Sequence, residues 1–205
     1  MAATSAAIAD AALELIVVDY EVLPHVIDVE AAMAPDAPIL HDDMFTQGVT
    51  PAPDKPSNVF KEVDIAVGDV DAGFAKADLI IERSFKTAPV HQGYLEPHAA
   101  VASFAEDGQA ELWCCTQGTH VFRDRLAVLL KMPSSKIKVT QSEMGGGFGG
   151  KLDLSVQPLV AVAAWLTKRP VAAIYSRPES MMSTTKRHPA FMTARFGCDA
   201  KGRLQ

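Results

Sequence analysis

Residues 145 to 150 read Gly-Gly-Gly-Phe-Gly-Gly, with Glu143-Met144 before them and Lys151 after. Five glycines in six positions cannot sit inside a helix or a central strand without a large entropic cost. The tract must therefore be a loop, and whatever lies on either side must stop there. Ile137 to Thr140 reads as a short strand entering it, and a helix running to about Thr167 leaves it, opened by Asp153 or Ser155. Glycine also lets a ligand reach main-chain N–H groups without a Cβ in the way, and an anion is the usual beneficiary.

The rest of the chain supplies the other elements. Thr4 or Ser5 caps a helix to about Ile16, with Ile8, Ala11, Ala12 and Leu15 on one face, and Ile16 to Val22 reads as a strand. Ala34 to Pro56 carries prolines at 35, 38, 51, 53 and 56 and little periodicity, an extended crossing segment. Val59, Lys61, Val63, Ile65 and Val67 alternate as one side of a strand, and Gly68-Asp69 turns into a short helix over Val70 to Lys76. Strands follow at Leu79 to Phe85, His98 to Phe104 and Glu111 to Thr116, the last two joined through Glu106-Asp107-Gly108 as a hairpin. Thr119 caps a helix with a Phe122, Leu126, Leu129, Leu130 stripe, stopped by Pro133. The helix after the loop would bury Val156, Leu159, Val160, Ala163 and Leu166. Val171 to Tyr175, a turn of helix at Pro178 to Met182, and Phe191 to Cys198 complete the pattern. Neighbouring strands without intervening helices predict an α+β fold with mixed sheets and packed helices.

Composition narrows the partners. The net charge of −6, with no block of like charge, gives no electrostatic footprint for nucleic acid or an anionic membrane. No apolar run is long enough to span a bilayer. Cys114, Cys115 and Cys198 show no paired spacing and read as reduced thiols of a cytoplasmic protein, with the first two as strand residues.

Two phosphate-binding patterns overlap the loop. Gly145 to Lys151 fits G-x-x-x-x-G-K, but Leu152 stands where a hydroxyl is needed to hold magnesium. Gly145, Gly147 and Gly150 fit G-x-G-x-x-G, which requires a parallel βαβ unit around it.

Glu143 to Lys151 also resembles the molybdopterin-binding loop of the xanthine dehydrogenase and aldehyde oxidase family. Gly93-Tyr94-Leu95-Glu96-Pro97-His98 resembles the family's segment before its central strands. Trp113-Cys114-Cys115-Thr116-Gln117-Gly118-Thr119-His120 resembles its strand, Thr-Gln, helix element, and Arg187-His188-Pro189 a further signature. These stand in family order over residues 59–205, the first molybdopterin-binding domain. Residues 34–58 form a linker, and residues 1–33 resemble the end of the preceding hammerhead domain.

The resemblance implies a molybdenum hydroxylase subunit that oxidises an aldehyde, an N-heterocycle or a related small molecule with oxygen from water. Its metal is held by the dithiolene of molybdopterin, in bacteria often as the cytosine dinucleotide, and electrons leave through iron–sulfur and FAD partners. By position, Gln117 hydrogen-bonds an oxo ligand of molybdenum. Phe148 and Gly149 sit beside the cofactor, and Gly146 and Gly147 shape the approach to it. No side chain of this sequence is then a metal ligand. Glu96, His98 and His188, beside prolines, and His91, Gln92 and Tyr94 read as packing and hydrogen-bonding residues.

Two departures matter. Many family members carry an acid directly after the loop lysine, whereas Leu152 stands there with Asp153 next. The family's catalytic glutamate, near the far C-terminus of a much longer subunit, has no counterpart. The expectation is a fragment that needs the remaining molybdopterin domain, is inactive alone and carries no cofactor alone. Its unpaired strand edges also allow a homo-oligomer.

Overall fold

The computed structural model describes all 205 residues and divides into two units. The first joins Met1–Val17 to Ala88–His188; the second joins Val18–Thr87 to Pro189–Gln205. No helix is long and apolar enough to cross a membrane.

In the first unit, α1 (Ala6–Leu13) starts at Ser5, whose hydroxyl accepts from the Ile8 amide, and buries no residue. The core is built around β2 (Ala99–Phe104), β3 (Ala110–Cys114), α4 (Thr119–Leu130), β4 (Ile137–Gln141), α5 (Gln157–Thr167) and β5 (Val171–Ile174). The sheet order is β4-β3-β2-β5. β2 runs antiparallel to both β3 and β5, while β3 and β4 are parallel with α4 as their crossover. The predicted hairpin closes at Asp107, whose carboxylate accepts from the Gln109 amide at 3.0 Å. Phe122, Leu126 and Leu130, four residues apart, point from α4 onto Leu112, Cys114 and Ile137.

The buried face of α5 differs from the expected one. Val156, Gln157, Val160, Ala161 and Ala164 are buried, whereas Leu159 and Leu166 are exposed. Ala161 and Ala164 meet Ala100 and Ala102 of β2, and small residues on both sides let helix and strand approach closely. Hydrophobicity alone picks the larger side chains for the core, but shape favours the smaller ones. Leu129 of α4 is likewise exposed.

Helix starts also differ. Gly118, not Thr119, is the N-cap of α4, after Thr116 Oγ1 accepts from the Gly118 amide. α5 begins at Gln157, whose side chain takes the Ser155 amide at 2.7 Å, while Asp153 pairs with Arg125 instead of capping. α6 (Arg177–Ser183) carries a full capping box between Ser176 and Glu179.

In the second unit, β1 (Leu79–Thr87) and β6 (Ala190–Cys198) form a two-stranded antiparallel ribbon registered from Leu79 opposite Cys198 to Thr87 opposite Ala190. Asp28 caps α2 (Val29–Ala32) and Asp69 caps α3 (Val70–Ala75). Residues 34 to 58 carry no helix or strand. Asn58 ties them down by donating to Ala32 O and Pro38 O and accepting from the Leu40 amide, each at 3.0 Å. The strand expected at Ile16 to Val22 does not form, and that at Val59 to Val67 is reduced to one bridge between Gln47 and Lys61. Alternation marks a candidate strand, but a ladder needs a partner strand: Ile16 to Val22 meets none, and Val59 to Val67 meets the single residue Gln47. Beyond β6 the chain turns back through Asp199, whose carboxylate accepts from the Lys201 and Arg203 amides.

All three cysteines are free. Burial first, then the neighbouring Cys115, pushes the Cys114 thiol up to about 12, so it is a protonated packing group.

Candidate functional site

Because β3 and β4 are parallel neighbours, their C-terminal ends lie side by side, joined by the Ser142 amide donating to Cys114 O at 3.1 Å. Whatever follows each strand must meet at that edge. After β3 come Cys115, Thr116 and Gln117; after β4 comes the glycine loop. Topology thus brings together two motifs about thirty residues apart.

The Gln117 side chain enters the loop. Its Oε1 accepts from the Gly149 amide at 3.0 Å and the Lys151 amide at 3.2 Å, and its own backbone N–H donates to Lys151 O at 3.0 Å. Two N–H donors on one side force the amide oxygen to face them, which sets the flip of the carboxamide. The Nε2 group, with two donors, is therefore turned away from the loop and makes no hydrogen bond within the chain.

Each glycine has a distinct reason. A Cβ on Gly147 would lie 2.5 Å from Gln117 Oε1 and 2.7 Å from its Cδ, so this glycine admits the glutamine. Gly145 admits Glu96, and Gly150 admits Tyr94 and Gln92. Phe148 has φ +51° and Gly149 φ +86°, and the Gly150 amide donates to Gly147 O at 2.8 Å, closing a turn of the kind that needs two left-handed residues. A phenylalanine in that conformation is strained, and this one is 74% exposed. Core packing does not hold it there, and strain of this kind collects at ligand sites.

Beneath the loop lies a buried polar network. Tyr94 and His98 are almost fully buried. His98 Nε2 donates to Gly150 O at 3.1 Å, and its Nδ1 lies 3.3 Å from the Tyr94 hydroxyl, whose own proton goes to Thr184 Oγ1 at 3.3 Å. His91 Nδ1 accepts from the Gly93 amide, so its Nε2 donates to the same hydroxyl at 3.2 Å, and Ser180 Oγ lies at 3.2 Å. The accepting Nδ1 makes His91 neutral in this arrangement, and burial disfavours the charged form of both histidines. Burial first and Lys151 second push His98 below its usual value; burial, then Lys186 and Arg177, does the same for His91. The folded chain therefore resists protons that the unfolded chain accepts near the reference value of 6.5. Stability is complete above that pH and falls as pH drops below it. The urea midpoint is expected to decline between pH 7 and 5, and His98→Gln to flatten that decline. An unchanged slope in the variant would contradict the neutral role of His98.

Lys151 is fully buried. Its Nζ lies 2.5 Å from Glu96 Oε2 and 5.0 Å from the Tyr94 ring centroid. A lysine so engaged cannot reach a phosphate. The helix after the loop begins six residues later, at Gln157, so no helix N-terminus faces the tract. The G-x-x-x-x-G-K reading is therefore overturned. The dinucleotide reading fails on topology: β5, which follows α5, lies at the far edge of the sheet beside antiparallel β2, not beside β4.

Four donor groups at the loop remain without a partner. The amides of Gly146, Gly147 and Phe148 make no hydrogen bond within the chain, and Gln117 Nε2 joins them. Phe148 and Gly149 border a cleft of about 580 Å³ that His91, Gln92, Asp153 and Arg187 also line. Uncommitted neutral donors beside an exposed aromatic ring suit a flat heterocycle carrying acceptor oxygens. The five residues singled out by resemblance, Gln117, Gly146, Gly147, Phe148 and Gly149, meet in one place. Sequence reasoning gave Glu96 and His98 structural roles at turns or strand ends and Tyr94 a packing and hydrogen-bonding role, as found, but did not name the glycine loop as what they hold. A larger depression of about 1160 Å³ lies at the other end of the sheet, by the hairpin. Its Lys131 and Lys168 follow helix C-termini, where they complement the helix dipoles.

A sequence model of the family described as molybdopterin cofactor-binding domain matches residues 51–205. The nicotinate dehydrogenase large molybdopterin subunit of Eubacterium barkeri is 36% identical over 95% of this chain, which spans 43% of that relative. A probable xanthine dehydrogenase subunit of Bacillus subtilis is 35% identical over the whole chain, which spans 26% of it. Among solved structures, the aldehyde oxidoreductase from Desulfovibrio gigas superposes with a TM-score of 0.87 at 30% identity, covering 98% of this chain and 21% of its own. The chain belongs to the molybdopterin cofactor-binding domain family, the family of its xanthine dehydrogenase and aldehyde oxidoreductase relatives.

Proposed function

We propose that this chain forms one side of the molybdopterin site of a molybdenum hydroxylase. The observation that carries the reading is the orientation of Gln117: its oxygen is spent on Gly149 and Lys151, so its Nε2 donors face outward. In this reading Nε2 donates to an oxo ligand of the metal. The amides of Gly146, Gly147 and Phe148 hold acceptor atoms of the pterin side, and the Phe148 ring and Gly149 border the reacting position. When bound, the cofactor supplies two-electron oxidation chemistry with oxygen taken from water. A carboxamide keeps its charge throughout such a cycle and needs no proton of its own. Backbone donors bring no rotamers to be ordered, so the site is preorganised before the ligand arrives.

Leu152 follows the loop lysine and is half exposed. An apolar side chain at that position favours an aldehyde, an acyl compound or an apolar heterocycle over a substrate that needs a carboxylate partner. The proton-abstracting carboxylate and the opposite wall of the site belong, in this reading, to a second molybdopterin domain. Iron–sulfur and FAD partners take the electrons. Residues 59–205 form the first cofactor domain, with residues 1–33 as the end of a hammerhead.

The chain spans 21 to 43% of the relatives above, which sets the test. Expressed alone in a host that makes molybdopterin, it is expected to carry far less than one molybdenum per chain by elemental analysis. It should not oxidise aldehydes or N-heterocycles with an artificial electron acceptor. Co-expression with the remaining cofactor domain should restore both. Failure of the complete assembly to bind molybdenum would remove the proposal.

A further inference from the structure

We infer that Glu96 is the positioning residue of the glycine loop. One oxygen, Oε2, accepts from the Gly145 amide at 2.9 Å and from Lys151 Nζ at 2.5 Å. These are the first residue of the tract and the lysine that follows it, so a single carboxylate closes the loop into a ring. The Glu96 backbone amide donates to Gly145 O at 3.3 Å, and a Cβ on Gly145 would lie 2.7 Å from Glu96 Cβ. Gly145 is thus a glycine so that Glu96 can come this close. Charge-assisted bonds to a carboxylate are among the stronger ones, and a buried ammonium without its partner is costly. Lys151 has no other ion partner, since Glu96 is its one salt bridge.

With Glu96 holding both ends, Gln117 holding Gly149 and Lys151, and His98 holding Gly150, only Gly146 to Phe148 keeps uncommitted amides. Those are the amides assigned to the ligand. The loop's shape is therefore set from outside the motif, by a residue about fifty positions earlier. This holds for whatever the loop binds; its effect on molybdenum rests on the proposed function.

The test is amide hydrogen exchange on the full chain. In Glu96→Ala, the Gly145 and Lys151 amides are expected to exchange on the order of tenfold faster, while α4 core amides such as Leu126 keep their rates. Glu96→Ala/Lys151→Met removes the stranded charge, and it should show the same loosened loop if the single variant does not fold. Glu96→Gln keeps an acceptor and should return protection to Gly145. Unchanged loop exchange, or equal acceleration in loop and core, would overturn the positioning role. Molybdenum content of the same variants in the assembled enzyme separates the two claims. A loosened loop with less molybdenum supports both; a loosened loop with full molybdenum keeps the positioning role and counts against the cofactor reading.

Discussion

Gln117→Ala in the assembled enzyme is expected to lower kcat by about 10²- to 10³-fold, the range for removing one preorganised donor from a reacting oxygen, with a smaller loss of molybdenum. The alanine variant removes two things at once, because Oε1 also holds the Gly149 and Lys151 amides. Gln117→Glu separates them. A carboxylate still accepts from both amides, so the loop keeps its shape, but it has no N–H to offer the cofactor. The glutamate variant should therefore retain fold and most of the molybdenum while losing nearly as much turnover as alanine. If metal loss accounts for all the activity lost, the donor role of Gln117 is wrong. If the glutamate variant turns over normally, Nε2 has no part in the chemistry.

Gly147→Ala should reproduce much of that loss without touching the glutamine. The added Cβ would stand 2.5 Å from Oε1 and 2.7 Å from Cδ, well inside contact distance. Gly147 does not occupy the left-handed region, so the effect is overlap alone. Expelling Gln117 leaves the Gly149 and Lys151 amides without their acceptor, at a cost of about 1–3 kcal/mol of stability. Turnover should fall by roughly 10²-fold as the donor leaves its place. Gly149→Ala is the contrast: nothing lies within 4 Å of its Cβ, and its cost is backbone strain at φ +86°. A double-mutant cycle decides the mechanism. Once Gln117→Ala has opened the space, adding Gly147→Ala should cost little. Additive losses would mean that the two residues act separately.

Much of this site was legible before folding was considered. The glycine tract marks a loop, the resemblance singles out Gln117 beside it, and all five expected residues converge. The strand pair at 99–114, both long helices and the last strand also follow from periodicity and turn chemistry. Other points were beyond it. Hydrophobicity cannot say that α5 presents alanines to the sheet and leucines to solvent, since that depends on the alanines of β2 opposite. Alternation cannot supply the partner strands that Ile16 to Val22 and Val59 to Val67 lack.

By itself, the order of residues determined where the backbone must break, which donors the loop carries and that no hydroxyl follows Lys151 to hold magnesium. These are local matters of φ, side-chain chemistry and spacing. Tertiary structure alone decided that Lys151 turns inward to Glu96, that Gln117 presents nitrogen and not oxygen, and that Gly147 exists to admit it. Each depends on parallel β3 and β4 ending side by side, which places in contact groups far apart along the chain. A buried charge then takes the partner that geometry leaves within reach.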